Sequence, residues 1–155
     1  MFLKKRESNQ TMNFHEGIGV LNVKGCGLAN QIEMIHLTTD DLKIMNKLQP
    51  FILEEIEMIV DSFYGNLIHE PSLIDTINTY SSVEKLRKTL QQHIIEIFAG
   101  IIDETYLETR IRIAKVHVRI GLQTKWYMSA FQELFLLVLT ILEKKSKIRM
   151  SGFLL

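Results

Sequence analysis

The stretch from Arg110 to Phe131 constrains the fold of this chain more than any other. At first sight its segment 111–120 resembles a strand, because apolar and polar residues alternate and many are β-branched. The alternation changes phase at Ala114–Lys115, however. Three basic residues also follow one another at steps of three and four, which is the spacing of one solvated helix face: Arg112, Lys115 and Arg119. We therefore predict a helix from about Asp103 to Gly121.

The side of this helix opposite the basic residues carries a histidine. At about 100° per residue, the direction opposite the basic face falls close to His117, which is flanked by Ile113, Ala114, Ile120 and Gly121. A buried imidazole has one donor and one acceptor to satisfy. Taken alone, His117 is either a core residue with ordinary hydrogen-bond partners or a ligand of a metal, and the pattern leaves both open.

The composition is that of one globular domain. With 155 residues, 46% hydrophobic and 23% charged, the chain can bury one core but not two. Eighteen basic residues balance eighteen acidic ones, so we expect no nucleic-acid partner. The single cysteine, Cys26, excludes an internal disulfide and fits a reducing compartment. Met1–Arg6 is basic but no apolar segment follows it, and we therefore predict a cytoplasmic protein without a secretory signal.

The chain divides into an N-terminal extension and a domain. Residues 1–27 show no sustained periodicity, and we predict a flexible extension there. Its short apolar segment Ile18–Leu21 could pair with a neighbouring segment. We place the domain at residues 28–155.

Capping signals and periodicity predict that the domain is all-α, with no convincing strand. Thr38 with Asp41, and Ser81 with Glu84, have the spacing of capping boxes. Pro50 suits the first turn of a helix and Gly100 suits a helix end. The predicted helices are 28–35, 39–48, 50–69, one or two turns within 71–80, and then 82–99, 103–121 and 126–145.

The last predicted helix, Trp126–Lys145, is apolar on every side over Leu134–Leu139. This apolar run is shorter than the ~20 residues that cross a membrane, and Gln132 and Glu133 interrupt it, so we predict no membrane span. A large apolar surface is seldom left exposed in a soluble protein. We therefore expect the helix to form a homodimer with a second copy of the chain, or to pack against a separate signalling protein.

Single polar side chains lie on several apolar helix faces: Tyr64, Thr89, His93, His117 and Tyr127. An apolar interior with a few converging polar groups suits a flat apolar cofactor. One neutral imidazole can hold a haem iron from one side, and a hydroxyl such as that of Tyr64 can donate a hydrogen bond on the other side. An ordinary core position explains Tyr64 equally well. No catalytic triad, paired carboxylates or phosphate-binding loop stands out.

Six motifs occur in order between Leu37 and Leu142. They are LQP at 48–50, IVDSFYGNL at 59–67, SSVEKLRKTL at 81–90, IFAGIID at 97–103, RIRIAKVHVRIGL at 110–122 and KWYMSAFQEL at 125–134. Together they resemble the globin domain of the globin-coupled sensors, most of all that of the haem-based aerotactic transducers of Bacillus-type bacteria. This long ordered match is much more specific than a single histidine.

The resemblance implies a globin fold that binds haem b, with oxygen as the ligand of its iron. His117 matches the proximal haem ligand, which makes it the predicted metal ligand. Tyr64 matches the distal tyrosine that senses the gas, and Thr89 matches a second distal hydrogen-bonding group. His93 is not a ligand in the family pattern, and we expect it to be an ordinary core residue.

Four further residues complete the cofactor-binding set that the resemblance implies. Leu86 matches a distal leucine over the haem face, and Tyr127 matches a proximal tyrosine linked to signal transfer. Phe63 is included with them. Tyr80 stands where the family pattern has a histidine near the haem edge.

The resemblance also implies a gas sensor for aerotaxis, which is a binding module and not an enzyme. Its signal would pass through the His117 helix into the helix that follows. A haem-free globin-like regulatory module is the alternative. The family pattern has a final globin helix from about Lys147 and a methyl-accepting signalling region after it, and we expect both to be missing here.

Overall fold

The computed structural model describes residues 16–23 and 27–152, with side chains described up to residue 147. Seven helices and two very short strands make up this part of the chain. In chain order they are β1 (Val20–Leu21), α1 (Ala29–Met34), α2 (Thr39–Glu54), α3 (Ile56–Leu67), α4 (Pro71–Tyr80), α5 (Val83–Ile97), β2 (Ile101–Ile102), α6 (Glu104–Arg119) and α7 (Thr124–Gly152). The predictions for residues 1–15 and for Cys26 lie outside the described residues.

The hydrophobic core lies among α2, α3, α5 and α7. Its largest fully buried side chains are Ile52 of α2, Ile59 and Val60 of α3, and Ile94 of α5. Ile141 of α7 joins the same cluster. Among the described residues, α6 contributes no side chain to this cluster and has no fully buried residue. α6, which carries His117, therefore lies beside the core and not within it.

The start of α2 confirms the predicted capping box. The Thr38 side chain accepts a hydrogen bond from the Asp41 N–H, and the Asp41 carboxylate accepts one from the Thr38 N–H at 2.8 Å. The next predicted start is wrong by one residue. Ser82, and not Ser81, caps α5 by accepting from the Lys85 N–H at 3.3 Å, because Ser81 ends α4.

The predicted helix boundary at Pro50 is wrong. α2 continues through Pro50 to Glu54, and the break falls at Glu55. A proline inside a helix costs about 3 kcal/mol because it removes one backbone hydrogen bond and its ring crowds the preceding turn. Continuing the helix, however, buries Ile52 completely in the core. Tertiary packing thus outweighs the local preference.

Two short strands correct the prediction that the domain contains none. β1 and β2 pair in parallel, with Val20 opposite Ile101 and Leu21 opposite Ile102. The Val20 N–H also donates to the Gly100 carbonyl at 2.8 Å. The apolar segment 18–21 therefore does pair with a neighbour, and that neighbour is the short segment directly before α6.

The last helix is longer than predicted, since α7 runs from Thr124 to Gly152. Among the described residues, its part Thr124–Lys147 is the one segment long and apolar enough to cross a membrane, judged by length and composition only. Helices of soluble proteins can pass the same test. The apolar run 134–139 is too short to cross a membrane but the whole helix is not, so the absence of a membrane span stays a prediction.

Gly100 provides a test of how the segment before α6 is built. Its φ of +74° is unfavourable for a residue with a side chain, and an added Cβ would meet the Leu42 carbonyl oxygen at 2.8 Å. We expect Gly100→Ala to lower the free energy of unfolding by at least about 2 kcal/mol, measured by urea denaturation. The matched control is Gly65→Ala in α3, where a Cβ meets nothing within 4 Å. That variant should gain about 1 kcal/mol, and equal losses in both would contradict the assignment.

Candidate functional site

His117 lies near the C-terminal end of α6 and is half-buried. Its Nδ1 atom is buried and has no hydrogen-bond partner. Burial lowers the pKa of the imidazole, so the ring is held neutral, which is the form that binds metals. A buried polar atom without a partner costs about 1–3 kcal/mol. The fold by itself therefore leaves this nitrogen without a hydrogen-bond partner.

The surroundings of His117 match the predicted helix face only in part. Ile113 and Ile120 are partly buried beside it, as expected. Ala114 and Gly121 are exposed, although we expected them on the buried face. The reason is that α6 lies at the edge of the core, so the side it presents inward is narrower than that of a fully packed helix.

Tyr127 meets His117 across the corner between α6 and α7. Gly121 makes this turn with a φ of +70°, and the Leu122 N–H donates to the His117 carbonyl at 3.0 Å. Tyr127 lies in the first turn of α7, and its ring centroid is 5.3 Å from that of His117. The first turn of α7 is thus in direct contact with the imidazole, although Tyr127 itself is 44% exposed.

Tyr64 and Phe63 lie in the core on α3. Their rings meet edge to face, with 5.1 Å between the centroids. Tyr64 is only 8% exposed, and burial raises the pKa of its phenol to about 12, which the nearby Arg87 guanidinium partly opposes. Its hydroxyl is therefore a neutral hydrogen-bond donor at any physiological pH.

The remaining predicted residues are placed less uniformly. Leu86 of α5 packs against the core cluster that contains Tyr64. Thr89 is exposed, and its hydroxyl donates to the Lys85 carbonyl of its own helix at 3.0 Å. Tyr80, the last residue of α4, is 61% exposed. Phe63, Tyr64 and Leu86 thus form one apolar group, while Thr89 and Tyr80 lie outside it.

Four residues form a polar cluster between α5 and α6, and only one of them, His93, was singled out from the sequence. Arg110 forms an ion pair with Glu96, and its guanidinium lies 4.6 Å from the centre of the Tyr106 ring. The Nδ1 atom of His93 lies 3.9 Å from the same Glu96 oxygen. One signal was available in the sequence, since Arg110 precedes His117 by two helical turns and so lies on the same face.

Burial controls the ionisation of this cluster. It lowers the pKa of His93, and the charge of Arg110 lowers it further, although Glu96 opposes both effects. Burial also raises the pKa of the Tyr106 phenol. The Nε atom of Arg110 and the Nδ1 atom of His93 are buried without partners, like Nδ1 of His117.

The arrangement fits a prosthetic group that brings its own metal. Among the described residues no three His, Cys, Asp or Glu side chains come together as a metal site. A single neutral imidazole would be enough to hold a haem, because the porphyrin nitrogens would supply the remaining ligands that the iron needs. The apolar group of Phe63, Tyr64 and Leu86 suits the flat porphyrin, and the neutral imidazole of His117 suits the iron. The residues present therefore fit a haem.

Comparison with known proteins decides the family. The sequence model of the family described as Protoglobin matches residues 27–153, which is most of the chain. The chain belongs to the Protoglobin family. Its fold is also that of the globin domain of a Geobacter sulfurreducens globin-coupled sensor, with a TM-score of 0.69 and 24% sequence identity. This match covers 74% of our chain and 76% of the Geobacter chain. The predicted all-α globin fold and the resemblance to globin-coupled sensor domains are thereby confirmed.

Because the pKa of Tyr64 is raised in the folded protein, the stability of this protoglobin domain should fall at alkaline pH. Unfolded Tyr64 loses its proton near pH 10, while the folded residue keeps it until about pH 12, so stability is full below pH 10 and falls between these values. Between pH 9 and pH 11, the free energy of unfolding, measured by urea denaturation, should fall by about 1 kcal/mol more in the wild-type protein than in Tyr64→Phe. The other groups that titrate at alkaline pH are present in both proteins, so their contributions cancel in the comparison. Equal losses would show that Tyr64 is not held neutral by burial.

Proposed function

We propose that this protoglobin domain binds haem b through His117 and reversibly binds oxygen as a sensor. The observation that carries the proposal is the half-buried, neutral His117, whose Nδ1 has no partner and which lies on a helix outside the core cluster. Family membership supports it, because the globin fold is the usual setting for a haem held by one histidine. In this proposal the protein is a binding module and not an enzyme. Its one cysteine fits a location in the reducing cytoplasm.

Each side chain has a defined part in this proposal. Haem supplies the iron at which a diatomic gas binds reversibly. His117 provides the protein's ligand, and its lowered pKa keeps the nitrogen lone pair free of a proton. Tyr64 provides a hydrogen-bond donor for the gas from within an apolar environment, where such a bond is stronger than in water. Phe63 and Leu86 exclude water around the porphyrin.

The three other predicted residues would act differently. The Thr89 hydroxyl can serve as a second donor only after it leaves the Lys85 carbonyl. Tyr80, exposed at the end of α4, would meet only the edge of the porphyrin. Tyr127 would report a movement of His117 to α7, because the two rings are already in contact. The route of the signal is thus from α6 across the corner into α7.

One absorption spectrum tests the proposal. After haem reconstitution, the full chain should show a Soret band that changes on reduction and again with oxygen or carbon monoxide. His117→Ala should remove stable haem binding, with an affinity at least about a hundredfold lower, because the protein's ligand is lost. The matched control is His69→Ala, which removes an exposed histidine and should bind haem normally.

A second variant separates the ligand from the distal donor. Tyr64→Phe should keep haem but release oxygen about tenfold faster or more, as expected for the loss of one strong hydrogen bond. Stopped-flow oxygen dissociation provides the measurement. A featureless visible spectrum of the original protein after reconstitution would instead favour a haem-free interaction module, and haem uptake by His117→Ala would refute the ligand assignment.

We further propose that the domain forms a homodimer through the outer face of α7. The inner face packs against the core with Leu134, Leu137, Val138 and Ile141, and Glu133 accepts a hydrogen bond from Asn66 of α3 at 2.5 Å. The outer face carries an exposed apolar strip at helical spacing, consisting of Met128, Phe131, Phe135, Leu136 and Leu139.

A second copy of the same helix suits this strip. It contains no charged residue, so two copies can face each other without repulsion. Met128, Phe131, Phe135 and Leu139 follow one another at steps of three and four residues, which is the spacing of helices packed side by side. Lys145, which forms ion pairs with Glu54 and Glu55 at 2.8 and 2.9 Å, anchors α7 to α2, so the strip is presented by a helix fixed on its other side.

Charges placed in the strip should break this dimer. The double variant Phe131→Glu, Phe135→Glu brings like charges together across the interface, and light scattering after gel filtration should show a monomer where the original chain is a dimer. Val118→Glu is the control, since Val118 is 80% exposed on α6 and outside the strip. A stable monodisperse monomer for the original chain would refute the proposal.

A further inference from the structure

α6 is held in place by few contacts, although it carries His117. No side chain of α6 belongs to the core cluster in the described part of the chain. Its first turn is capped by Asp103, whose carboxylate accepts from the Tyr106 N–H at 2.9 Å, and it follows directly on strand β2. Its last turn leads into the corner at Gly121. In its middle, α6 is attached to a neighbouring helix by an ion pair.

That attachment is the ion pair between Arg110 of α6 and Glu96 of α5. The two side chains are 25% and 30% exposed, so the pair is largely removed from water. Arg110 and His117 are seven residues apart, which places them on the same face and about 10 Å apart along the helix axis. A pair at Arg110 thus fixes both the height and the rotation of the face that carries His117.

Within this cluster, Arg110 is the charged partner of Glu96. His93 is near the same carboxylate oxygen, but burial and the Arg110 charge lower its pKa and keep it neutral. Tyr106 stacks against the guanidinium and covers it, which excludes water from one side of the pair. Glu96 therefore has one charged partner, and the geometry of that partner determines where α6 lies relative to α5.

We propose that the Arg110–Glu96 ion pair is a positioning device that sets the place of His117 relative to α5. The proposal rests on the function proposed above for His117. Arg110 does not touch the cofactor in this proposal; it acts through the position of the helix. In a largely buried pair, removing one charge leaves the other uncompensated, so the loss of either partner should loosen α6 more than the loss of a surface charge.

Two measurements on the full chain test the proposal. In the haem-free protein, hydrogen–deuterium exchange should show the amides of α6 exchanging about tenfold faster in Arg110→Gln and in Glu96→Gln, with those of α3 unchanged. In the haem-loaded, reduced protein, resonance Raman should show a shifted or broadened iron–histidine stretching band.

The controls separate position from charge. Arg112→Gln removes a positive charge from the exposed face of α6 and should behave like the original protein in both measurements. The exchanged pair Arg110→Glu, Glu96→Arg restores opposite charges and should recover part of the slow α6 exchange and of the original band.

The possible outcomes distinguish a failure of the proposed haem function from a failure of the proposed positioning role. If the original protein takes up no haem, the proposed function fails, and the exchange comparison in the haem-free protein still decides whether the pair fixes α6. If haem binds but Arg110→Gln equals Arg112→Gln in both measurements, the positioning role is wrong and the haem function stands. Equal acceleration of exchange in α3 and α6 with an unchanged band would show general destabilisation and would also overturn the positioning role.

Discussion

The packing of α3 between α5 and α7 is the interaction on which the rest of this structure depends. Ile59, Val60, Phe63 and Tyr64 of α3 supply half of the buried cluster, and Ile94 and Ile141 close it from the neighbouring helices. Burial of such side chains contributes about 1.5–3 kcal/mol each, so most of the stability lies in this layer. α6 adds little to it. The core cluster is therefore complete without any side chain of α6 in the described part of the chain.

Among the described residues, buried side-chain nitrogens without hydrogen-bond partners are concentrated on α5 and α6. The buried side-chain nitrogens without partners in the described part of the chain belong to His93, Arg110 and His117. All three lie on α5 and α6. Because such atoms are costly in a folded protein, their clustering marks the region where the sequence is adapted to something other than stability. That region is the one in which family membership leads us to expect a haem.

Local patterns in the sequence predicted most of the helices and the Thr38–Asp41 cap, because helix periodicity and capping depend on near neighbours. The helix boundary predicted at Pro50 was wrong because the free energy gained by burying Ile52 depends on tertiary packing, which the local sequence does not show. The Arg110–Glu96 pair was missed for a similar reason. Its formation depends on how the turn between α5 and α6 sets the two helices side by side, which periodicity within either helix does not determine.

The pairing of β1 with β2 has a consequence for the order in which the chain folds. It joins Val20, near the beginning of the chain, to Ile101, directly before α6. Contacts between such distant residues carry a high entropic cost of loop closure, so they form after the local helices between them have assembled. During synthesis, β1 leaves the ribosome long before its partner exists. The start of α6 therefore reaches its final attachment late, when the layer around α3 is already in place.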